Sequence, residues 1–158
     1  MQKENYCISY FMETGSEDDG KKVTNLDYLL KLSKGNEEFV RDMIRIFLDE
    51  NPSEISVLEK AIAERDFKLI NSAAHKLRST VPFVGIDKII SEDITLIEQL
   101  AREKSDEQTH GGQAEEKAQG GSFLPNDREM ISRIESLFSK IKRICLRAYS
   151  ELKPFTSH

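Results

Sequence analysis

The chain has 158 residues, 32% of them charged, with a formal net charge of −5. That length suits one domain with a sizeable core, and the negative balance excludes a nucleic-acid binder driven by backbone charge, which needs concentrated Lys and Arg. No run approaches the roughly 18 apolar residues of a membrane span, and Cys7 and Cys145 are too few and too far apart for a zinc site or a disulfide framework.

Residues 1–23 lack sustained periodicity. Their apolar patch, Tyr6 to Met12, is short and leads into Gly15-Ser16-Glu17-Asp18-Asp19-Gly20, which reads as a flexible acidic linker rather than a signal peptide. The expected setting is therefore the cytoplasm, with both cysteines reduced. An ordered domain is expected over 24–153, opening with a short helix that Asn25 can cap, that carries Leu26, Leu29 and Leu30, and that Gly35 can end.

Asn36 caps the next helix, with Glu37 and Glu38 in its positive first turn. Phe39, Val40, Met43, Ile44, Phe47 and Leu48 recur at three- and four-residue spacing, and Ile55, Leu58, Ala61 and Ile62 resume the stripe. Pro52 between them either divides the segment or bends one long helix, and one bent helix is the favoured reading.

A third helix begins at Asp66 and carries Ile70, Ala73, Ala74, Leu77, Val81 and Val84. Gly85 and Asp87 turn the chain into a fourth, with Ile86, Ile89, Ile90, Ile94, Ile97 and Leu100. From Ser105 to Asn126 the pattern stops, and Gly111-Gly112 and Gly120-Gly121 mark a mobile insert loop. Asn126 and Glu129 resemble a capping box for a last helix carrying Met130, Ile134, Leu137, Ile141, Ile144 and Ala148, before a tail over 154–158. The predicted fold is all-α: an antiparallel four-helix bundle with a short leading helix and a long flexible loop before the last helix.

On the third helix, at about 100° per residue, His75 falls about 140° from the core direction and so faces outward. Lys68, Asn71, Ser72, Arg78, Ser79 and Pro82 share that side, and not one is acidic in a chain with 28 Asp and Glu residues. A basic patch without carboxylates attracts an anion, Arg78 can hold a phosphate oxygen, and an exposed imidazole is largely neutral near pH 7 and nucleophilic. Phe83, roughly 220° from the core direction, either meets a partner or packs under a neighbouring helix.

The run Ala73-Ala74-His75-Lys76-Leu77-Arg78-Ser79-Thr80, with Gly85 ten residues after the histidine, resembles the histidine-containing phosphotransfer (HPt) domains of bacterial phosphorelays. Their pattern is approximately Ala-His-x-Leu-Lys-Gly-Ser-Ser followed by a glycine, on the second of four antiparallel helices. The resemblance runs from about Asn25 to Glu103, with the last helix displaced to 127–153. It implies that His75 is phosphorylated and that Arg78 stands where a phosphate-neighbouring lysine is usual. Asp66, Phe47, Leu58 and Ala61 also sit where related domains have similar residues. Two departures are Ser79, often glycine in the family, and Pro82, in a helix that is usually continuous.

The resemblance further implies a phosphorelay intermediate: His75 takes a phosphoryl group from the aspartyl phosphate of a receiver domain and passes it to another. Arg78, Lys76 and Ser79 neighbour the phosphate, and Lys68, Asn71, Ser72, Pro82 and Phe83 form the docking surface. The partners are receiver domains of response regulators or hybrid histidine kinases, with Mg²⁺ on the receiver and no cofactor on this chain. The second reading is a helical adaptor that regulates a receiver or kinase without carrying phosphate. His110 and His158 make no metal-ligand spacing with His75, and no Gly-rich phosphate loop or catalytic triad is legible, so a kinase or hydrolase is not expected.

Overall fold

The computed structural model describes residues 21–110 and 127–156. They form helices α1 (Asp27–Ser33), α2 (Glu37–Glu64), α3 (Phe67–Thr80), α4 (Asp87–His110) and α5 (Asp127–Leu152), with single 3-10 turns at Val81–Val84 and Lys153–Thr156. No strand occurs among the described residues.

Two of the helices start where a side chain satisfies a free amide group. Asn36 Oδ1 accepts from the Phe39 amide at 3.1 Å and Asp66 Oδ1 from the Leu69 amide at 3.1 Å, so α2 and α3 have side-chain N-caps. At α1 Asn25 acts one residue earlier than a cap, accepting from Asp27 N at 2.8 Å, and the cap position itself falls to Leu26. The helix ends at Lys34 and Gly35, both at positive φ.

Helix α2 is one continuous element of 28 residues with Pro52 inside it. Pro52 lies on its exposed side, and its ring removes the amide that would bond the Leu48 carbonyl. Arg65 and Asp66 alone connect α2 to α3, which forces a reversal and sets the two helices side by side. Across α4 and α5, Lys104 pairs with Asp127 and Asp93 with Lys140, so one helix ascends as the other descends. Helix α3 packs on α2 and α4, α5 packs on α4 and α2, and α1 lies across α2 and the first 3-10 turn.

The stripes converge on one core. Leu58, Ile70, Ala74, Leu77, Ile90, Ile94, Ile97, Ile134 and Ile141 are fully buried. Some expected stripe positions lie nearer the surface: Leu30 and Ile89 are exposed, and Leu26, Phe39, Val40, Met43 and Leu137 are half-buried.

Three boundaries differ from the sequence expectation. Helix α3 stops at Thr80, and Val81 and Val84 are buried from a 3-10 turn, because Pro82 offers no amide for an α-helical bond and can open such a turn. Gly85 follows at φ +75°, and a Cβ there would collide with the backbone of Asn25, whose amide donates to Val84 O at 2.9 Å. Helix α4 continues through Ser105 to His110, beyond the point where the loop was expected, and Lys104 joins Glu107 to Asp127 at 3.1 and 2.5 Å. At the amino end, residues 21–23 are not a free segment. Val23 is buried, the amides of Val23 and Thr24 bond the Glu151 carboxylate at 2.9 and 3.0 Å, and Arg147 reaches Lys21 O.

The expected tail starts with the second 3-10 turn. The expected loop from residue 111 onward, its capping residue Asn126, the linker before Lys21 and His158 lie outside the described residues.

Candidate functional site

Helix α3 buries Phe67, Ile70, Ala73, Ala74 and Leu77 and turns His75 outward, with 64% of its side chain exposed. The alanines are small enough to let neighbouring helices approach. On the α4 side Asn71, one turn before His75, donates from Nδ2 to the backbone carbonyl of Glu98 at 2.8 Å. That bond sets the register of α3 against α4 and brings the Glu98 side chain level with His75.

Glu98 is only 3% exposed although it is charged. Its Oε1 lies 2.9 Å from His75 Nδ1 and 3.4 Å from the Arg102 guanidinium, and its Oε2 lies 3.3 Å from that of Arg78. A carboxylate only accepts, so the proton at this contact is on Nδ1, and in the neutral form of such a ring the lone pair is on Nε2. Oε2 has no hydrogen bond despite its nearness to Arg78, whose guanidinium holds it by charge rather than by an aligned N–H. A buried carboxylate of this kind persists because cations surround it.

The α2 side of α3 holds a second buried carboxylate. Glu54 is 5% exposed, accepts from Thr80 Oγ1 at 3.1 Å, and has Lys76 Nζ 3.8 Å from Oε1. Burial pushes its carboxyl above the ordinary range, against the opposing pull of Thr80 and Lys76. Nearby, Asn51 Nδ2 approaches the buried Cys145 Sγ at 3.7 Å, and burial raises that thiol to about 12, which leaves it protonated and unreactive.

The second helix of the four-helix ring thus carries an outward imidazole whose Nδ1 is held by a buried carboxylate. The Hpt domain family model matches residues 42–136, which run from α2 through α3 and α4 into α5 and include His75. The chain belongs to the Hpt domain family. No curated protein and no solved structure gives a significant match.

Hpt domains are phosphocarrier modules of phosphorelays and not kinases, so phosphotransfer is the class of activity this chain falls in. The bundle places the sequence-predicted residues around its histidine unequally. Arg78 stays beside His75, bound to the same carboxylate. Lys76 diverges from it, because adjacent helical residues point about 100° apart, and reaches α2. The Ser79 hydroxyl is turned back onto Lys76 O at 2.6 Å, leaving only its small volume near the imidazole. Lys68 and Ser72 are exposed on the same face.

Asn71 differs from expectation, since its amide is engaged with α4 and does not face a partner freely. Pro82 and Phe83 are half-buried in the Hpt domain's 3-10 turn. Phe83 packs against the core and at the same time lines a shallow apolar groove with Met43, Ile46, Phe47 and Thr80. Phe83 therefore packs under its neighbours and keeps part of its surface open to the groove.

The expected carboxylate-free patch exists along α3 alone, because Glu98 and Glu54 arrive from the flanking helices. Both left a trace in the sequence. Glu98 interrupts the stripe Ile90, Ile94, Ile97, Ala101, and Glu54 sits beside Ile55 in the stripe Phe47, Asn51, Ile55, Leu58, so each is a charge at a core position. Among the described residues no cluster of three or more His, Cys, Asp or Glu could hold a metal ion, and no helix is long and apolar enough to cross a membrane.

Proposed function

We propose that His75 is the phosphoryl carrier of a phosphorelay, loaded by the aspartyl phosphate of a receiver domain and unloaded onto another receiver. The observation that carries this reading is the exposed imidazole whose Nδ1 is tied to buried Glu98, leaving Nε2 without a partner among the described residues.

The Nε2 lone pair attacks phosphorus, the P–O bond to the receiver aspartate breaks, and the bonding electrons leave on the carboxylate oxygen. The proton on Nδ1 stays, and Glu98 balances the positive charge the ring acquires. Arg78 faces the oxygens of the group in transit. The receiver supplies the remaining electrostatic stabilisation, including its bound Mg²⁺, and this chain needs no cofactor of its own. Lys68 and Ser72 meet the receiver on one side of His75, and Phe83 with the apolar groove beside it meets the receiver on the other.

The test is to incubate the chain with a radiolabelled, phosphorylated receiver domain and follow the label. His75→Gln should take up none, while its melting temperature stays close to that of the unmodified chain because the side chain is exposed. Equal labelling of His75→Gln would remove His75 from the carrier role.

A further inference from the structure

We propose that Arg102, one turn beyond Glu98 on α4, is a second phosphoryl-binding side chain, parked on Glu98 until His75 is phosphorylated. The inference rests on the carrier role of His75 and adds a residue from a different helix to that site.

Arg102 and His75 share one acceptor, Glu98 Oε1, at 3.4 and 2.9 Å, so the guanidinium lies beside the imidazole although 27 positions separate the two residues. Read alone, an i,i+4 Arg–Glu pair on a helix is a weak surface contact. This pair is unlike that in one respect: the Glu98 side chain is 4% exposed and the Arg102 side chain 58% exposed, so the negative charge is fixed from below while the arginine reaches it from the solvent side.

The charge count points the same way. Arg78 and Arg102 bring two positive charges to one carboxylate. Neither arginine is held firmly. Arg102 bonds at 3.4 Å, long for a charge-assisted contact, and Arg78 sits against an oxygen that has no hydrogen bond at all. A phosphoryl group on Nε2 arrives with nearly two negative charges and three acceptor oxygens. It therefore competes with Glu98 for both guanidiniums, and Glu98 retains the Nδ1 proton, whose ring has become cationic. Arg78 from α3 and Arg102 from α4 then grip the group from two helices, and the number of charges paired rises without moving the backbone.

The test does not depend on a partner protein. In a chain carrying His110→Gln and His158→Gln, potassium phosphoramidate phosphorylates the remaining histidine, and phosphorus NMR follows the titration of its phosphoryl group. A neighbouring cation favours the more highly charged phosphoryl form. Arg102→Gln should therefore make the group about threefold less acidic, and Arg102→Lys should restore most of the difference. An arginine that only props α4 would leave this titration unmoved. Identical titration curves for Arg102 and Arg102→Gln would overturn the proposal, as would failure of phosphoramidate to label His75. If Arg102→Gln shifts the titration but no receiver domain loads His75, the anion site stands and the relay reading fails. If receivers load His75 and the titration is unmoved, the reverse holds.

Discussion

Replacing Glu98 by glutamine separates the two things its carboxylate does for His75. The amide oxygen can still accept from Nδ1–H at the position now 2.9 Å away, so ring orientation and tautomer are kept while the negative charge is lost. A hydrogen bond to a charged group contributes about 1.5–3 kcal/mol and a neutral one about 0.5–1.5. The difference, about 1–1.5 kcal/mol, falls on the imidazolium that forms as Nε2 bonds phosphorus, and slows transfer by a factor of about five to ten. Glu98→Ala goes further: it leaves Nδ1–H without an acceptor and opens a void under two unpaired guanidiniums, costing about 2–4 kcal/mol of stability. Quenched time courses of label transfer from a phosphorylated receiver give the rates, and urea unfolding gives the stabilities. If Glu98→Gln transfers phosphate as fast as the unmodified chain, the carboxylate's charge plays no part in the step. A loss as complete as that of His75→Gln would mean that orientation, not charge, had been destroyed.

Glu54 offers a test of sign. Its folded pKa lies above 4.5, so between the unfolded and folded values the native state holds the extra proton, and stability falls as pH rises through that window. Glu54→Gln should remove this slope in urea titrations run at a series of pH values; an unchanged slope would assign it elsewhere. Glu151 works in the opposite direction. Burial raises its carboxyl, but bonds from Thr24 and Val23 with the charge of Arg147 outweigh that and hold it below 4.5, so its contribution is present above 4.5 and disappears as pH falls through the lowered value. Glu151→Gln should flatten the acid limb and increase amide exchange at Val23 and Thr24, and protection identical to that of the unmodified chain would count against the anchor. Gly85→Ala combines a positive φ with a collision against the Asn25 backbone and should cost about 2 kcal/mol or more in thermal or urea unfolding.

Much of this molecule is readable along the chain because helical stripes are local. Leu58, Ile70, Leu77, Ile94 and Ile141 announce their burial by spacing, and His75 announces its exposure by lying off the stripe of its own helix. Boundaries were less legible. Nothing periodic distinguishes Ser105–His110 from loop, yet the ion pairs of Lys104 to Glu107 and Asp127 stand where α4 runs on and faces α5. The end of α3 at Thr80 followed from Pro82, whose missing amide is visible in sequence although the 3-10 turn it opens is not.

What the sequence determined by itself is the helical class, the order of the helices, the outward histidine at position 75 and the nearby arginine at position 78, all of which depend on residue type and on separations of a few positions. What only the tertiary structure decided is the environment of that histidine. Seen on its own helix, His75 has no acidic neighbour; in the bundle it has Glu98, because Asn71 binds the Glu98 carbonyl and fixes how far α4 slides along α3. A helical wheel carries the angles around one axis and contains no information about the register between two. The carboxylate that holds Nδ1 of His75, and the second arginine that comes with it, are consequences of that register.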